Sequence, residues 1–538
     1  MTFLGRLGWR CGGESRQVWA WLGRFGRGCS VLGGGGVRAG LLRRAGACQS
    51  GWPGGLLGAG GRRRRSPCRV RSCAGAGCMS TGFCDGGYEA ARRRHVADFE
   101  AMLPEYAGRI GWAADRVTKE RQRALRALLT AAMRSPWHRE RLAGLDAGAL
   151  GEADMASLPV MTKTDLMSNF DDIVTDRRLT RELCERHLSE LAGGDAYLLG
   201  EYHVVASGGS SGQRGVFVYG RQAWSICWAS MVRFPERDWA HDRALAGISR
   251  VAAVVAASGA THISAAFRHT FATPRIREHL IPVTWPLGQI VAALNRLQPT
   301  ELIGYSSVLP RLAREATAGR LRIRPRRVMG IAEPLLPEAR AVVQQAWDVP
   351  VGSRYGTSEG IFSGFCGYGS HLPDDLCLFE LVGAGGRPVP RGVASQRVYV
   401  TNLYNHALPL IRFEITDEVR VLDEACPCGS AFRRIADPQG RLDDTFTYPA
   451  GVSIHPHLFR SALGQHRLIV EYQVRQTARG ADIRLAAAAP VDTALIGQAI
   501  GRALAAAGLD HPQVNVTLVP ALDRLETGKL KRFVPLPG

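Results

Sequence analysis

Nowhere in its 538 residues does this chain offer an apolar run approaching the roughly 20 residues a membrane helix needs. Gly and Arg also interrupt every candidate for the apolar middle of a secretory signal, so neither an anchor nor export by such a signal is expected. The first 78 residues hold no lysine, a single acidic residue, Glu14, and no helical or alternating apolar period that persists. Without such periods they cannot build a core. No Gly-Lys-Ser/Thr closes the glycine-rich loop near residue 210, which excludes a Walker-type phosphate loop. Internal repeats and coiled-coil heptads are absent as well.

What is present is unevenly placed. The net charge is +20, but residues 1–78 carry fourteen arginines against that one acid, so the rest of the chain holds only +7. The same segment contains the runs Gly33 to Gly36 and Arg62 to Arg65 and six of the thirteen cysteines. These are residues of GC-rich codons, and ordinary mixed composition begins just after Met79. The expectation is that translation starts at Met79, with an organellar transit peptide or a disordered nucleic-acid-binding arm as the competing readings. The residual basicity of the remainder suits polyanions such as ATP or coenzyme A and calls for no nucleic acid.

From Asp98 to about Leu145 the pattern is helical, with Leu125, Leu128, Leu129 and Met133 at core spacing, and predicts an N-terminal helical hairpin. Leu158-Pro159 then precedes a capped helix start at Thr162 or Thr164. Between Val204 and Val400, apolar strands such as Val251 to Val255 and Leu302 to Gly304 alternate with helical stretches such as Gln289 to Leu297 and Pro337 to Trp347. That alternation predicts a layered α/β domain. After Gly440 the strand-like Leu468 to Val474, Asp482 to Leu485 and Gln513 to Val519, with a helix at Asp492 to Ala507, predict a compact α+β unit of about one hundred residues. The boundaries expected are 79–440 for the large domain and 441–538 for the small one, with 1–78 disordered or untranslated.

Four segments carry chemistry. In Ala206 to Gly215, small residues and glycines after a strand let backbone N–H groups curl around an anion; Ser207, Ser210 and Ser211 add hydroxyls, Gly212 the needed freedom and Arg214 a fixed charge. Tyr355-Gly356-Thr357-Ser358-Glu359 places a carboxylate beyond a tight turn, suited to Mg²⁺, with Thr357 or Ser358 as a further oxygen ligand or substrate contact. Asp417 ends the strand-like Leu410 to Phe413 with an acceptor-only group matched to ribose hydroxyls. Lys529, in a basic loop near the C-terminus, is a mobile ammonium able to offset developing negative charge.

Taken in order, Ser207 to Gly212, Gly330-Ile331-Ala332-Glu333-Pro334, Tyr355 to Glu359, Pro409-Leu410-Ile411-Arg412-Phe413 with Asp417, Gly440 to Asp444 and Gly528-Lys529 resemble the adenylate-forming superfamily. The likeness is nearest to its phenylacetate-CoA ligase-like branch and runs over residues 98 to 538. It implies a large multi-layered adenylation domain with a smaller, mobile C-terminal domain. Carboxylate and ATP would give acyl-AMP and pyrophosphate, after which a thiol displaces AMP. By the same resemblance Ala332, Glu333 and Pro334 contact adenine, Tyr355, Gly356 and Arg441 belong to the nucleotide site, Asp443 is the hinge, and Glu359 and Lys529 are catalytic.

The phosphate loop departs from the branch's Ser-Ser-Gly-Thr-Thr-Gly-Lys-Pro: Gly208 replaces a Ser, Gln213 the Lys and Arg214 the Pro. Trp224, Trp228, Phe267 and Phe271 are candidates for an aryl pocket. Cys366-x4-His371 and Cys426-Pro427-Cys428 have ligand types and spacing for a closed structural Zn²⁺ site, with free cytosolic thiols as the alternative. The expected enzyme is a cytoplasmic AMP-forming acid-thiol ligase using ATP, Mg²⁺ and coenzyme A on an aryl or aryl-alkyl acid, homodimeric by resemblance. Transfer to a carrier protein or an amine, and a non-catalytic nucleic-acid-binding scaffold, are the alternatives.

Overall fold

Val251 to Ala256 and Glu301 to Tyr305 show no alternating polar face, the pattern of strands covered on both sides. A computed structural model of the protein describes residues 85–538 except 147, 192–195, 208–213, 242–250, 257–261, 272–276, 439–443, 464–465, 467, 526–528 and 537–538. All of them lie in the unit Ala76–Gly538. The two runs are neighbours in a five-stranded parallel sheet ordered Arg277–Pro282, Val251–Ala256, Glu301–Tyr305, Arg327–Ile331, Val351–Arg354. Helices Leu287–Leu297, Leu309–Thr317 and Pro337–Trp347 cover it, burying Ile290, Leu294, Leu312 and Val343 with Val254, Leu302 and Val328. The strand order reverses beside Val251–Ala256, and open α/β sheets hold ligands at the carboxyl ends of strands near such a reversal.

A second core packs the helix Arg221–His241 against the hairpin Tyr202–Ala206 and Val216–Gly220 and the antiparallel strands Cys377–Val382, Arg397–Asn402 and Phe413–Ile415. The first helix, Asp85–Gly108, starts well before the expected Asp98 and passes through Pro104. Tertiary contacts explain its reach: His95 hydrogen-bonds Tyr197 and Ser225, and Phe99 packs on Phe271. Ala114–Ala132 follows, with Leu125, Leu128 and Leu129 fully buried as their spacing required. Of the two candidate caps Thr162 is the one used: its hydroxyl accepts from Asp165 N at 3.1 Å while Asp165 accepts from Thr162 N at 2.8 Å, a reciprocal capping box.

Residues 446–533 have a core of their own, including Phe446, Phe459, Val474, Ile483, Ile500 and Phe533. Its sheet runs Gln513–Leu518, Gly480–Ala487, Ile469–Thr477, Phe533–Val534, with the helix Thr493–Ala506 capped by Asp492. No helix among the described residues is long and apolar enough to cross a membrane. The expectations for residues 1–78 and Met79, and for Ser210, Ser211, Gly212, Arg441 and Asp443, lie outside the described residues.

Candidate active site

The turn after the strand Val351–Arg354 is fixed by its backbone. Thr357 N donates to Ile361 O at 3.0 Å and Gly360 N to Thr357 O at 3.2 Å. Gly360 has φ +87°, and a Cβ there would lie 2.5 Å from the Tyr404 hydroxyl; at Gly356 it would meet the Phe362 ring at 2.7 Å. Only glycine suits either place. Tyr219 Oη donates to Ser358 O and Asn402 Nδ2 to Glu359 O, so the main chain is held from both sides. Glu359 is 8% exposed, and its carboxylate has no hydrogen-bond or ion-pair partner among the described residues. A buried carboxylate of that kind calls for a cation.

The turn lines a cavity with Ser207, Lys163, Ala332, Arg354, Thr357, Ser358, Glu359 and Lys529. Ala332, Arg354, Gly356 and Lys529 also line an adjoining cavity, which continues past Glu333, Pro334, Tyr355 and Asp417 to Asp444. Tyr355 Oη donates to Asp417 Oδ2 at 3.0 Å and so orients this second carboxylate. Ala332 sits at φ +65°, a conformation costly for a residue with a Cβ and typical of functional turns. The sequence-assigned residues Ser207, Ala332, Glu333, Pro334, Tyr355, Gly356, Thr357, Ser358, Glu359, Asp417 and Lys529 therefore line two adjoining cavities that share Ala332, Arg354, Gly356 and Lys529.

Glu333 does more than line it. Its Oε2 accepts from Ser307 N at 2.9 Å and its Oε1 from Leu530 N at 2.8 Å, so one carboxylate joins the large sheet to the segment carrying Lys529. Arg524 adds a bond to Ser307 Oγ at 2.9 Å and an ion pair with Glu471. The segment is anchored on its other side by Val474 N donating to Arg532 O at 2.8 Å and Gln473 Nε2 to Lys531 O at 2.9 Å.

The chain has only four lysines among its 68 Lys and Arg: Lys119, Lys163, Lys529 and Lys531. Three of the four line these cavities. Lys163, the first residue of the helix capped by Thr162, was not singled out by the sequence, where it reads as an ordinary helix-start residue. Arg214 does not line the cavity; it forms an ion pair with Glu185 of the helix Arg181–Glu190. Arg412 pairs with both oxygens of Glu380 at 2.8 Å and donates to the Ala156 and Leu158 carbonyls, pinning the N-terminal segment to the antiparallel sheet.

Of the four aromatic candidates only Trp228 reaches the cavity. Trp224, Phe267 and Phe271 pack among one another and with His203 in the core, so the aryl-wall reading fails for those three. The remaining wall is Met231, His262, Ile263, Arg268, Glu278, Ile303, Ile331 and Phe362. Burial, with Lys529 and Arg268 nearby, pushes the His262 imidazole down to about 3, so it faces the cavity neutral. Burial lowers Arg268 too, but Glu278, at 3.2 Å, keeps it a guanidinium.

Away from the cavities, Cys366, His371, Cys426 and Cys428 place their ligand atoms within 4.8 Å of one another. Cys366 Sγ lies 3.5 Å from Cys426 Sγ and 3.2 Å from His371 Nε2, which is 3.4 Å from Cys428 Sγ. A tetrahedron with Zn–S of about 2.3 Å has edges of about 3.8 Å, close to these values. His371 Nδ1 bonds the Phe432 carbonyl at 2.8 Å, which leaves Nε2 to the metal. The donor set fits zinc.

No protein-family model matches the chain. It is 33% identical over 132 residues to the phenylacetate-coenzyme A ligase of Thermus thermophilus, a match covering 23% of this chain and 29% of that protein. The match thus spans under a third of the relative's length. Two solved structures of 2-hydroxyisobutyryl-CoA ligase in the postadenylation state, one with R3-HIB-AMP and one with 2-HIB-AMP, each give a TM-score of 0.60 at 20% identity, over 79% of this chain and 91% of theirs. The fold is that of these ligases.

Proposed function

We propose that this chain, built on the adenylate-forming fold, activates a carboxylic acid with ATP to an acyl-AMP and passes the acyl group to the thiol of coenzyme A. One observation carries the reading: Glu359, Lys529, Ser207 and Asp417, drawn from segments spread over more than three hundred residues, line two adjoining cavities that meet at Lys529. In this reading Asp417, oriented by Tyr355, accepts from the ribose hydroxyls, and Ala332 to Pro334 bound the adenine. Glu359 would hold Mg²⁺, which when bound would supply charge neutralisation at the phosphates. Lys529 stabilises the charge that develops as carboxylate oxygen attacks the α-phosphate and pyrophosphate leaves. Residues 441–538 then move as a unit about Asp443, withdrawing Lys529 and admitting the thiol, which displaces AMP from the acyl carbon. The cytoplasm supplies ATP, coenzyme A and the reduced thiols of the zinc site.

Lys163 takes the place of the cation missing from the phosphate loop at Gln213. Replacing Lys163 by methionine is expected to raise the KM for ATP about tenfold or more, in line with loss of one charge-assisted contact, while Arg214→Ala changes it little. Equal effects at the two positions would reverse the assignment.

The reading is tested by incubating the protein with ATP, Mg²⁺ and a panel of carboxylic acids, with and without coenzyme A. Acid-dependent pyrophosphate release and a CoA thioester are the expected products. Pyrophosphate release without a thioester would move the acceptor to a carrier protein or an amine; absence of release across the panel would remove the adenylation reading.

A further inference from the structure

Glu333 is half-buried, and the proposed chemistry gives it no task beyond bounding the adenine. Its place in the fold is better defined than that task. Ser306 Oγ donates to its carbonyl at 2.8 Å, which fixes the main chain just after the strand Arg327–Ile331. Its two carboxylate oxygens then divide between two parts of the chain: Oε2 accepts from Ser307 N at 2.9 Å, in the turn after the strand Glu301–Tyr305, and Oε1 accepts from Leu530 N at 2.8 Å. The Leu530 amide is peptide-bonded to Lys529, so this bond fixes where the Lys529 main chain lies relative to the large sheet. Arg524 closes the circuit, bonding Ser307 Oγ at 2.9 Å and pairing with Glu471, a carboxylate 5% exposed that Arg311 approaches to 3.9 Å. The bonds from Val474 N to Arg532 O and from Gln473 Nε2 to Lys531 O lie within residues 446–533, whereas those at Glu333 and Ser307 cross to the large sheet.

We propose that Glu333 is a positioning residue for Lys529: its bond to the Leu530 amide holds the ammonium in the site for adenylation and breaks when the C-terminal unit leaves for thioester formation. The inference deepens the ligase reading and rests on it. An ionised carboxylate only accepts, so it suits a place where two main-chain donors converge; a side-chain amide of the same shape would set its own N–H₂ against one of them. The strength is suitable as well. A charge-assisted bond exchanged against water shifts an equilibrium by about tenfold to hundredfold, enough to bias Lys529 toward the site and too little to lock it there. When the bond opens, a half-buried carboxylate regains water, so release costs far less than stranding a fully buried charge. The Ser307 bond lies within the large domain, stays intact throughout and keeps the carboxylate aimed for the return.

The test uses Glu333→Gln and Arg524→Gln in the full chain. Hydrogen exchange is followed at single-amide resolution by mass spectrometry, with the Leu525 amide, bonded to Lys529 O, and the Val474 amide, bonded to Arg532 O, as references inside the C-terminal unit. In Glu333→Gln, exchange at Leu530 is expected to quicken about tenfold while both references keep the parent rate. With an acid that the parent activates, kcat for pyrophosphate release is expected to fall about tenfold relative to thioester formation from supplied acyl-AMP and coenzyme A, at a KM for ATP close to the parent's. Arg524→Gln loosens the same joint without altering Glu333, and is expected to move both readouts the same way by a smaller factor. An unchanged Leu530 rate, faster exchange at all three amides, equal losses in the two half-reactions, or a raised KM for ATP with kcat intact would each overturn the inference, the last by returning Glu333 to adenine binding alone. A parent protein that releases no pyrophosphate with any acid overturns the ligase reading and the positioning role with it, while the exchange rates still report whether Glu333 holds Leu530.

Discussion

With Lys529 replaced by alanine, acid-dependent pyrophosphate formation falls by about 10²–10³-fold, the usual cost of removing one well-placed group from a developing anion. The substitution leaves the local main chain intact: Leu525 N still donates to Lys529 O and Leu530 N to Glu333. Stability therefore stays near that of the parent protein. The informative comparison is between half-reactions. Thioester formation from supplied acyl-AMP and coenzyme A is expected to change less than adenylation, because the proposed mechanism has Lys529 out of the site in the second step. Equal losses in both would mean that Lys529 serves the overall architecture, and no loss in either would remove it from the chemistry.

The second large effect concerns the cysteine and histidine cluster. Purified protein is expected to contain one zinc per chain, and Cys366→Ser or strong chelation is expected to cost about 4 kcal/mol of stability, as loss of a structural metal does. Cys366 belongs to a small core with Ile110 and Val117 of the helical N-terminal region, Phe234 of a central helix and Phe432, against which Cys426 and Cys428 pack. Four chain segments thus meet at one small core, where a bound zinc would supply bonds that the few apolar contacts do not. None of the four ligands lines the cavities, so activity at temperatures well below the melting point should persist in the variant. Substoichiometric zinc, or a serine variant that melts with the parent, would dismiss the metal.

The same comparison shows which kinds of fact a sequence exposes. Backbone demands were legible: the tight turn before Glu359, a capped helix start at Thr162 or Thr164, the uninterrupted apolar strands and a loop at Lys529 each leave a local signature. The order of the chemistry-bearing segments was legible too, because loops at one end of a parallel sheet must converge. The acid end was not. Trp228, Arg268, Glu278 and Ile303 come from different helices and strands, and nothing local separates Trp228 from Trp224, one helical turn away, although only the former lines the cavity. Arg412, Arg214 and Lys163 make the related point for charge. A conspicuous arginine inside the Pro409 to Phe413 segment is a staple to Glu380, Arg214 is taken by Glu185, and an unremarkable helix-start lysine lines the cavity that also holds Ser207 and Glu359. Where a guanidinium ends up depends on acidic partners on other elements, 32 residues away for Arg412 and 29 for Arg214.

A chain with so few primary amines can report on its own motion. Lys119 is exposed on an outer helix, whereas Lys163 and Lys529 line one cavity and Lys531 lines the adjoining one. On the proposed mechanism an amine-directed reagent would label a constant reference site and three cavity sites whose reactivity follows the position of the C-terminal unit. Mass spectrometry of the labelled peptides, with and without nucleotide, would give the fraction of molecules in the closed arrangement without any engineered probe.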